Sequence, residues 1–252
     1  MISYSLSADN RNQLASAFAD VPRVDISIQC VLEDAMGKAF VDSPEHPHRY
    51  MIELDEFFCY YAGDLTSEAG RDFVNQTPGG RMLMAGTEGW HDVVQTVLSD
   101  RLMTITRYSY QSDTLSATQL TNLVSSNPHI IHVQQLDSDL INKGIPYLEI
   151  GAFASPEDFV TRGVGYTLIK DEKSIGVAYS SLACNASIEV SIVVDEAYRR
   201  QGIATALASK LLLWCLEHNK RPNWDAANEE SCRLAEKLGY TDKQAYTAYF
   251  LK

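Results

Sequence analysis

One stretch of the chain, residues 188–217, constrains the fold more than any other. Its first part, 188–194, is apolar and rich in β-branched residues, which favours a buried strand. After a short polar loop, apolar residues recur at helical spacing along one face. These residues are Ala204, Leu207, Ala208, Leu211, Leu212 and Cys215. A strand that leads through a loop into an amphipathic helix is typical of mixed α/β folds, so we predict that class.

The loop between this strand and helix carries two arginines and a glycine, Arg199, Arg200 and Gly202. The first N–H groups of a helix lack intrahelical acceptors and attract anions. A glycine lets an anion approach the backbone closely, and arginine adds charged hydrogen bonds to phosphate. The patterns GxxxxGK[ST] and GxGxxG are both absent from the sequence. The loop is therefore either an anion site or an ordinary basic surface turn.

Two blocks of sequence resemble a known family. Arg199-x-x-Gly202-x-Ala204 resembles the (Arg/Gln)-x-x-Gly-x-(Gly/Ala) signature of the GNAT-type N-acetyltransferases. A second block runs from Asn228 to the Glu-Lys-Leu-Gly-Tyr segment at 236–240 and resembles the last helix of that family. The resemblance covers roughly residues 130–252. It implies a GNAT-type acyl-CoA N-acyltransferase fold with a mixed, splayed central sheet.

The rest of the chain predicts a second domain. The polar, proline-ended segment 125–128 favours a boundary, which gives an N-terminal mixed α/β domain, 1–127, and a GNAT domain, 128–252. Residues 81–85 are one strand candidate of the first domain. With this extra half and the string Trp224, Asn228 and Ser231, the chain resembles the zwittermicin-resistance-like subfamily.

The resemblance implies acetyl-CoA as co-substrate and a small-molecule amine as acceptor. In the family, acetyl-CoA lies where two parallel strands splay apart, and those would be 188–194 and 223–227 here. The implied backbone partners of the pantetheine arm are Ile192, Val193 and Val194. The implied pyrophosphate-binding backbone amides are those of Arg199, Arg200, Gln201, Gly202, Ile203, Ala204 and Thr205.

Two polar residues at the start of the last helix, Asn228 and Ser231, are also implied to contact the cofactor. Asn228 has an alternative interpretation, because asparagine is a good N-cap. Both interpretations stay open on the sequence alone.

Glu189 is the candidate catalytic base, since several family members carry a carboxylate in this strand. The acceptor amine must be neutral to attack a thioester, so a base has to take its proton. Apolar neighbours of Glu189 favour a raised pKa of its carboxyl group. The alternative is a polar residue on the open face of a half-buried strand.

The family's frequent general acid, a tyrosine seven residues after the asparagine, is replaced by Ala235. The nearest tyrosines in sequence, Tyr240, Tyr246 and Tyr249, are more simply interpreted as core or strand residues. The substitution leaves three hypotheses open: another tyrosine donates the proton, the thiolate leaves unprotonated, or the domain binds acyl-CoA without efficient catalysis.

Charge excludes some partners. The chain has 33 acidic and 21 basic residues, a net charge of −12. Nucleic acids and anionic lipids attract clustered Lys and Arg, so neither is an expected partner. The acidic surface suits a cationic amine. The oligomeric state is left open.

Other patterns argue against a secreted protein or a metalloprotein. The N-terminus lacks the basic and apolar regions of a secretory signal, and no apolar run is long enough to span a membrane. The five cysteines are odd in number and form no CxxC pair, which favours reduced thiols and a cytoplasmic location. His129 and His132 lack a third metal ligand nearby, so no metal site is expected.

Overall fold

A computed structural model of the chain describes residues 1–84 and 86–252. These residues form two compact units, Met1–Arg107 with Ala245–Lys252, and Tyr108–Gln244. Helices and strands alternate in both, so the predicted mixed α/β class is confirmed. Strand β6 (Leu102–Gln111) leads from the first unit into the second, and β13 (Thr241–Leu251) leads back.

The first unit is a sheet with two pairs of helices. Its helices are α1 (Ala8–Ala17), α2 (Asp25–Leu32), α3 (Glu68–Asn75) and α4 (Glu88–Leu98). Its strands before β6 are β1 (Ile2–Ser3), β2 (Lys38–Val41), β3 (Arg49–Leu54), β4 (Phe58–Gly63) and β5 (Arg81–Met84). The sheet order is β1-β2-β3-β4-β5-β13, and β4 with β5 is the parallel pair. The predicted strand 81–85 is observed up to Met84, and Ala85 lies outside the described residues.

The core of the first unit lies where α3 and α4 pack on this sheet. The buried residues of α4 recur at helical spacing, which gives the helix one apolar face. The cluster's sheet residues include Met51, Leu83 and Tyr249, and its helix residues include Phe73 and Trp90. This unit therefore has its own hydrophobic core.

The second unit contains a five-stranded sheet and the long helix α8. Its helices are α5 (Ala117–Ser125), α6 (Ser138–Asn142), α7 (Pro156–Arg162), α8 (Ile203–Glu217) and α9 (Glu229–Leu238). Its other strands are β7 (Val133–Gln135), β8 (Gly165–Lys170), β9 (Lys173–Ala183), β10 (Ser187–Val194), β11 (Arg221–Asn223) and β12 (Asp225–Ala226). The order is β11-β10-β9-β8-β7, with β10 and β11 parallel and the other pairs antiparallel.

The predicted strand 223–227 is observed as two short strands with different partners. The first of them, β11, begins two residues before the predicted start and pairs with β10 only as far as Asn223 opposite Glu189. After Trp224 the chain changes partner, and β12 pairs with β6 at Tyr108 and Ser109. The chain therefore leaves β10 partway along its length, which is the predicted splay.

The boundaries of the compact units differ from those of the predicted domains, 1–127 and 128–252. Residues 108–127 belong to the second unit because α5 packs on α8. Leu120 of α5 is fully buried in one cluster with Ala208 and Leu212 of α8. The polar segment 125–128 thus follows a helix that is already part of the second core.

Among the described residues, none of the helices has the length and apolar character needed to cross a bilayer. The same residues contain no group of three or more His, Cys, Asp or Glu side chains arranged to hold a metal ion. All five cysteines are buried thiols, and burial raises the pKa of Cys59 and of Cys215 to about 12. Such thiols stay protonated at neutral pH and are poor nucleophiles.

Candidate functional site

The splay leaves one edge of β10 open. On one side, β10 pairs with β9 from Ile188 to Val194. On the other side, pairing with β11 ends at Glu189, and residues 190–194 have no further strand partner in the described part of the chain. The backbone of Ile192, Val193 and Val194 therefore lies along the opening. An open strand edge presents N–H and C=O groups to which an extended ligand can add as a strand would.

The opening leads to the loop before α8. Asp195 starts this loop, where its Oδ1 accepts a hydrogen bond from the N–H of Ala197 at 2.9 Å. Arg199 donates from Nε to the carbonyl oxygen of Val194 at 3.3 Å, which ties the loop to the end of β10. Tyr147 donates its hydroxyl to Asp195 Oδ2 at 3.1 Å. These contacts fix the start of the loop.

Gly202 is the N-cap of α8 and has φ +85°. Residues with a Cβ rarely adopt this left-handed conformation, whereas glycine does so without strain. An added Cβ would have the Asn127 side-chain nitrogen 3.5 Å away as its nearest neighbour, so the space beside Gly202 is open. The first helical bond runs from the N–H of Ala206 to the Gly202 carbonyl. The N–H groups of Ile203, Ala204 and Thr205 therefore have no acceptor within the helix.

Two side chains near this site, those of Arg200 and Thr205, already have partners within the protein. Arg200, which is 80% exposed, pairs with Glu230 of α9 at 2.7 Å. The Thr205 hydroxyl accepts a hydrogen bond from Lys237 Nζ at 3.2 Å. Arg200 has φ +63° and Gly202 has φ +85°, so a left-handed residue lies on each side of Gln201. The loop thus combines donors, positive charge and open space, which are the requirements of a phosphate site.

The first turn of α9 is a hydrogen-bonded cap. Asn228 is its N-cap, and the Asn228 Oδ1 accepts from the N–H of Ser231 at 2.9 Å. Ser231 Oγ in turn accepts from the indole nitrogen of Trp224 at 3.1 Å. The string Trp224, Asn228 and Ser231 is therefore one connected hydrogen-bond chain. Trp224 is buried, and its indole N–H also positions Ser231.

Removing this cap is expected to destabilise the protein. Asn228→Ala leaves the Ser231 N–H without its acceptor, which costs about 1 kcal/mol. We expect a melting temperature lower by about 2–4 °C for a chain of this size. Asn228→Asp keeps an acceptor oxygen at the same position and serves as the matched control. Equal melting temperatures for the alanine variant and the wild type would show that the cap contributes nothing.

Glu189 lies on β10 at the point where the strands separate. It pairs with Leu182 of β9, and a β-bulge in that pairing follows it immediately. Val190 and Ile192 pack on the core beneath α8 and α9, so strand alternation places Glu189 on the opposite face. The side chain is half-buried. Bulges often redirect a functional side chain, which makes this a suitable place for a base.

The position of the family's tyrosine, Ala235, is fully buried in the core of the second unit. Tyr240 is buried beside it and donates its hydroxyl to the carbonyl oxygen of Pro222 at 3.1 Å. Burial, with smaller contributions from Cys215 and Glu189, raises the pKa of Tyr240 well above its usual value. Its hydroxyl is therefore committed to a structural hydrogen bond.

The other two tyrosines belong to the first unit. Tyr246 lies under the guanidinium of Arg23, 4.4 Å from the ring centroid. The Tyr249 hydroxyl accepts from Gln95 Nε2 at 2.9 Å and contacts His91 Nδ1 at 2.9 Å. Both match the sequence-based interpretation as strand or core residues.

Comparison with known proteins identifies the fold. A model of the GNAT acetyltransferase family matches residues 17–249, so the match extends well into the N-terminal half, beyond the predicted start near residue 130. An uncharacterized N-acetyltransferase of Bacillus subtilis, YdfB, is 24% identical over 229 residues and 85% of each chain.

Solved structures agree with this match. The crystal structure of a GCN5-related N-acetyltransferase-like protein from Streptococcus suis has 28% identity and a TM-score of 0.82, with 97% of this chain and 99% of that one covered. A GCN5-related N-acetyltransferase from Kribbella flavida shares the fold at 14% identity and a TM-score of 0.60, over 90% of this chain and 93% of that one.

Proposed function

Because the chain belongs to the GNAT acetyltransferase family, it is an acyl-CoA N-acetyltransferase, and we propose that it acetylates a small-molecule amine at the splay of β10. The observation that carries this proposal is the continuity of the open β10 edge with the glycine-capped start of α8. The string of Trp224, Asn228 and Ser231 supports a further assignment to the zwittermicin-resistance-like subfamily.

Acetyl-CoA fits the residues at this site. The family uses acetyl-CoA, which supplies an acetyl group activated as a thioester. The open space beside Gly202 and the three N–H groups that follow suit a pyrophosphate, and a Cβ at residue 202 would intrude on that space. The open edge at Ile192, Val193 and Val194 suits the pantetheine amides. Asn228 and Ser231 form the cap of α9, and we propose that they also contact the cofactor.

Glu189 is the proposed general base. Its carboxylate accepts a proton from the ammonium form of the acceptor, which leaves a neutral nitrogen with a free electron pair. That pair forms the new C–N bond as the C–S bond breaks. The nitrogen then loses its remaining extra proton to solvent, and the sulfur, which keeps the bonding electrons, takes up a proton from solvent. No tyrosine is required for this balance, which is consistent with Ala235 at the family's acid position.

Release of free thiol from acetyl-CoA tests the function. The purified chain is incubated with acetyl-CoA and a panel of primary amines, including polyamines, aminoglycosides and amino acids. Thiol release that depends on one class of amine supports the proposal and identifies the acceptor. Saturable binding of acetyl-CoA with no turnover across the panel favours a second candidate, a non-catalytic acyl-CoA-binding module, which Ala235 motivates. Failure to bind acetyl-CoA would contradict both.

The ion pair between Arg200 and Glu230 predicts a further effect. In this structure the guanidinium is engaged by a carboxylate, which competes with any phosphate for it. Glu230→Gln is expected to lower the Kd of acetyl-CoA about two- to fivefold, since an exposed pair contributes at most about 1 kcal/mol. Isothermal titration calorimetry at low and high salt measures this, and the effect should shrink as salt screens the charges.

Glu229→Gln is the matched control for this prediction. Glu229 occupies the same turn of α9 but pairs with Lys243. We expect its Kd to stay within about twofold of the wild type because it does not engage the loop. A weaker affinity in Glu230→Gln would show that Glu230 supports the loop rather than competing with the ligand.

A further inference from the structure

We propose that Asn127 is a positioning residue that aims the first N–H group of α8 at the cofactor's pyrophosphate. The inference rests on the proposed function, because it concerns the same anion site. Asn127 lies in the segment 125–128, which the sequence predicts to be a domain boundary. Its side chain contacts the Gly202 loop directly.

Both ends of the Asn127 side-chain amide are engaged. Nδ2 donates to the Gly202 carbonyl oxygen at 3.0 Å, and Oδ1 accepts from the N–H of His129 at 3.0 Å. The backbone of Asn127 is held as well, since its N–H donates to Val124 and its carbonyl accepts from Ile130. Four hydrogen bonds therefore fix this one residue, and one of them reaches the loop.

Helix packing holds Asn127 beside Gly202. The helix α5 ends just before it and packs on α8. Leu120, which α5 buries completely, shares a cluster with Ala208 and Leu212 of α8. The donor of Asn127 therefore approaches from a supported helix, unlike one on a free surface loop.

The geometry of the peptide plane links this contact to the anion site. In a trans peptide the C=O and the following N–H point in opposite directions within one plane. The Gly202 carbonyl accepts from Ala206 along the helix and from Asn127 Nδ2, so its direction is fixed by two donors. The N–H of Ile203 belongs to the same plane and is directed away from the helix body. Donation by Asn127 also polarises this peptide, which strengthens the N–H as a donor.

Substitutions at Asn127 test the proposal by acetyl-CoA binding. Asn127→Ala is expected to raise the Kd of acetyl-CoA about three- to tenfold, the range of one hydrogen bond. Asn127→Asp keeps an acceptor for His129 but loses the donor and adds a negative charge, so its Kd should rise further. The difference in Kd between the two variants should become smaller at high salt, because salt screens the added charge of the aspartate. Asn122→Ala, on the exposed face of the same helix, is the control and should bind as the wild type does.

Each outcome separates this inference from the proposed function. If the wild type does not bind acetyl-CoA, the proposed function fails. If the wild type binds and Asn127→Ala binds equally well, the positioning role is wrong and the function stands. If Asn127→Ala lowers the melting temperature of the free protein with no change in Kd, Asn127 has only a structural role, which also overturns the inference. A raised Kd with a salt-sensitive Asp variant supports it.

Discussion

Gly202→Trp is expected to raise the Kd of acetyl-CoA about 100-fold or more. The space beside Gly202, which has Asn127 as the nearest neighbour of a built Cβ at 3.5 Å, would receive an indole ring. The ring would occupy the place of the pyrophosphate and block two or more charge-assisted hydrogen bonds, each worth about 1.5–3 kcal/mol. Each 1.4 kcal/mol is about a tenfold change in Kd. Calorimetric titration with acetyl-CoA measures it.

A control variant separates the backbone strain in Gly202→Trp from the block of the ligand. Gly202 has φ +85°, so a side chain there costs about 1–2 kcal/mol of stability in addition to blocking the ligand. Gly144→Trp introduces the same strain, because Gly144 has φ +86° and no neighbour within 4 Å of its built Cβ. We expect Gly144→Trp to lose stability and keep the Kd. A folded Gly202→Trp with wild-type affinity would place the anion site elsewhere.

Glu189→Gln is expected to lower kcat about 100-fold or more, with little change in the Kd of acetyl-CoA. General-base catalysis contributes about 10²–10⁴-fold, and glutamine has nearly the same shape but cannot accept the proton. The substitution leaves the backbone pairing of Glu189 with Leu182 and Asn223 in place. Initial rates with the best amine from the panel measure kcat, and calorimetry measures the Kd.

Two measurements test whether the lower kcat of Glu189→Gln comes from loss of the base. Glu217→Gln, at the exposed C-terminal end of α8, changes the same charge away from the strand and should keep the wild-type kcat. A rise in pH should partly restore Glu189→Gln, because more of the amine is then already neutral. A variant that keeps at least half of the wild-type kcat at neutral pH would show that Glu189 is not the base.

Local sequence signals predicted the loop that ends at Gly202 and the helix after it. Gly202 ends the polar loop, and α8 begins at the next residue. Both features can be predicted because helical spacing and a glycine before a helix are patterns of residues that are close in sequence. Helix α7 likewise begins with a Ser155 cap and a first-turn proline, which are local signals of a helix start. Signals of this kind do not depend on the rest of the fold.

The pairing of distant strands and the contacts between distant residues could not be predicted from such local signals. The predicted strand 223–227 has one continuous pattern, yet the pairing changes at Trp224 because β6, more than a hundred residues earlier, pairs with the part after it. Asn127 has the sequence of a turn before proline, and nothing local indicates that it reaches Gly202. Helix α1 buries Leu14 and exposes most of its other residues, so its apolar pattern is too weak to mark it.

The path of β13 has a consequence for how the chain is made. The first unit is discontinuous, since its β5 pairs with residues 248–251 at the end of the sequence. During synthesis from the N-terminus, that partner emerges from the ribosome only after every residue of the second unit. The first unit therefore completes its sheet last, although it is begun first. Expression of residues 1–107 alone would leave β5 without this neighbour and Tyr249 missing from the core, an exposed edge that favours aggregation.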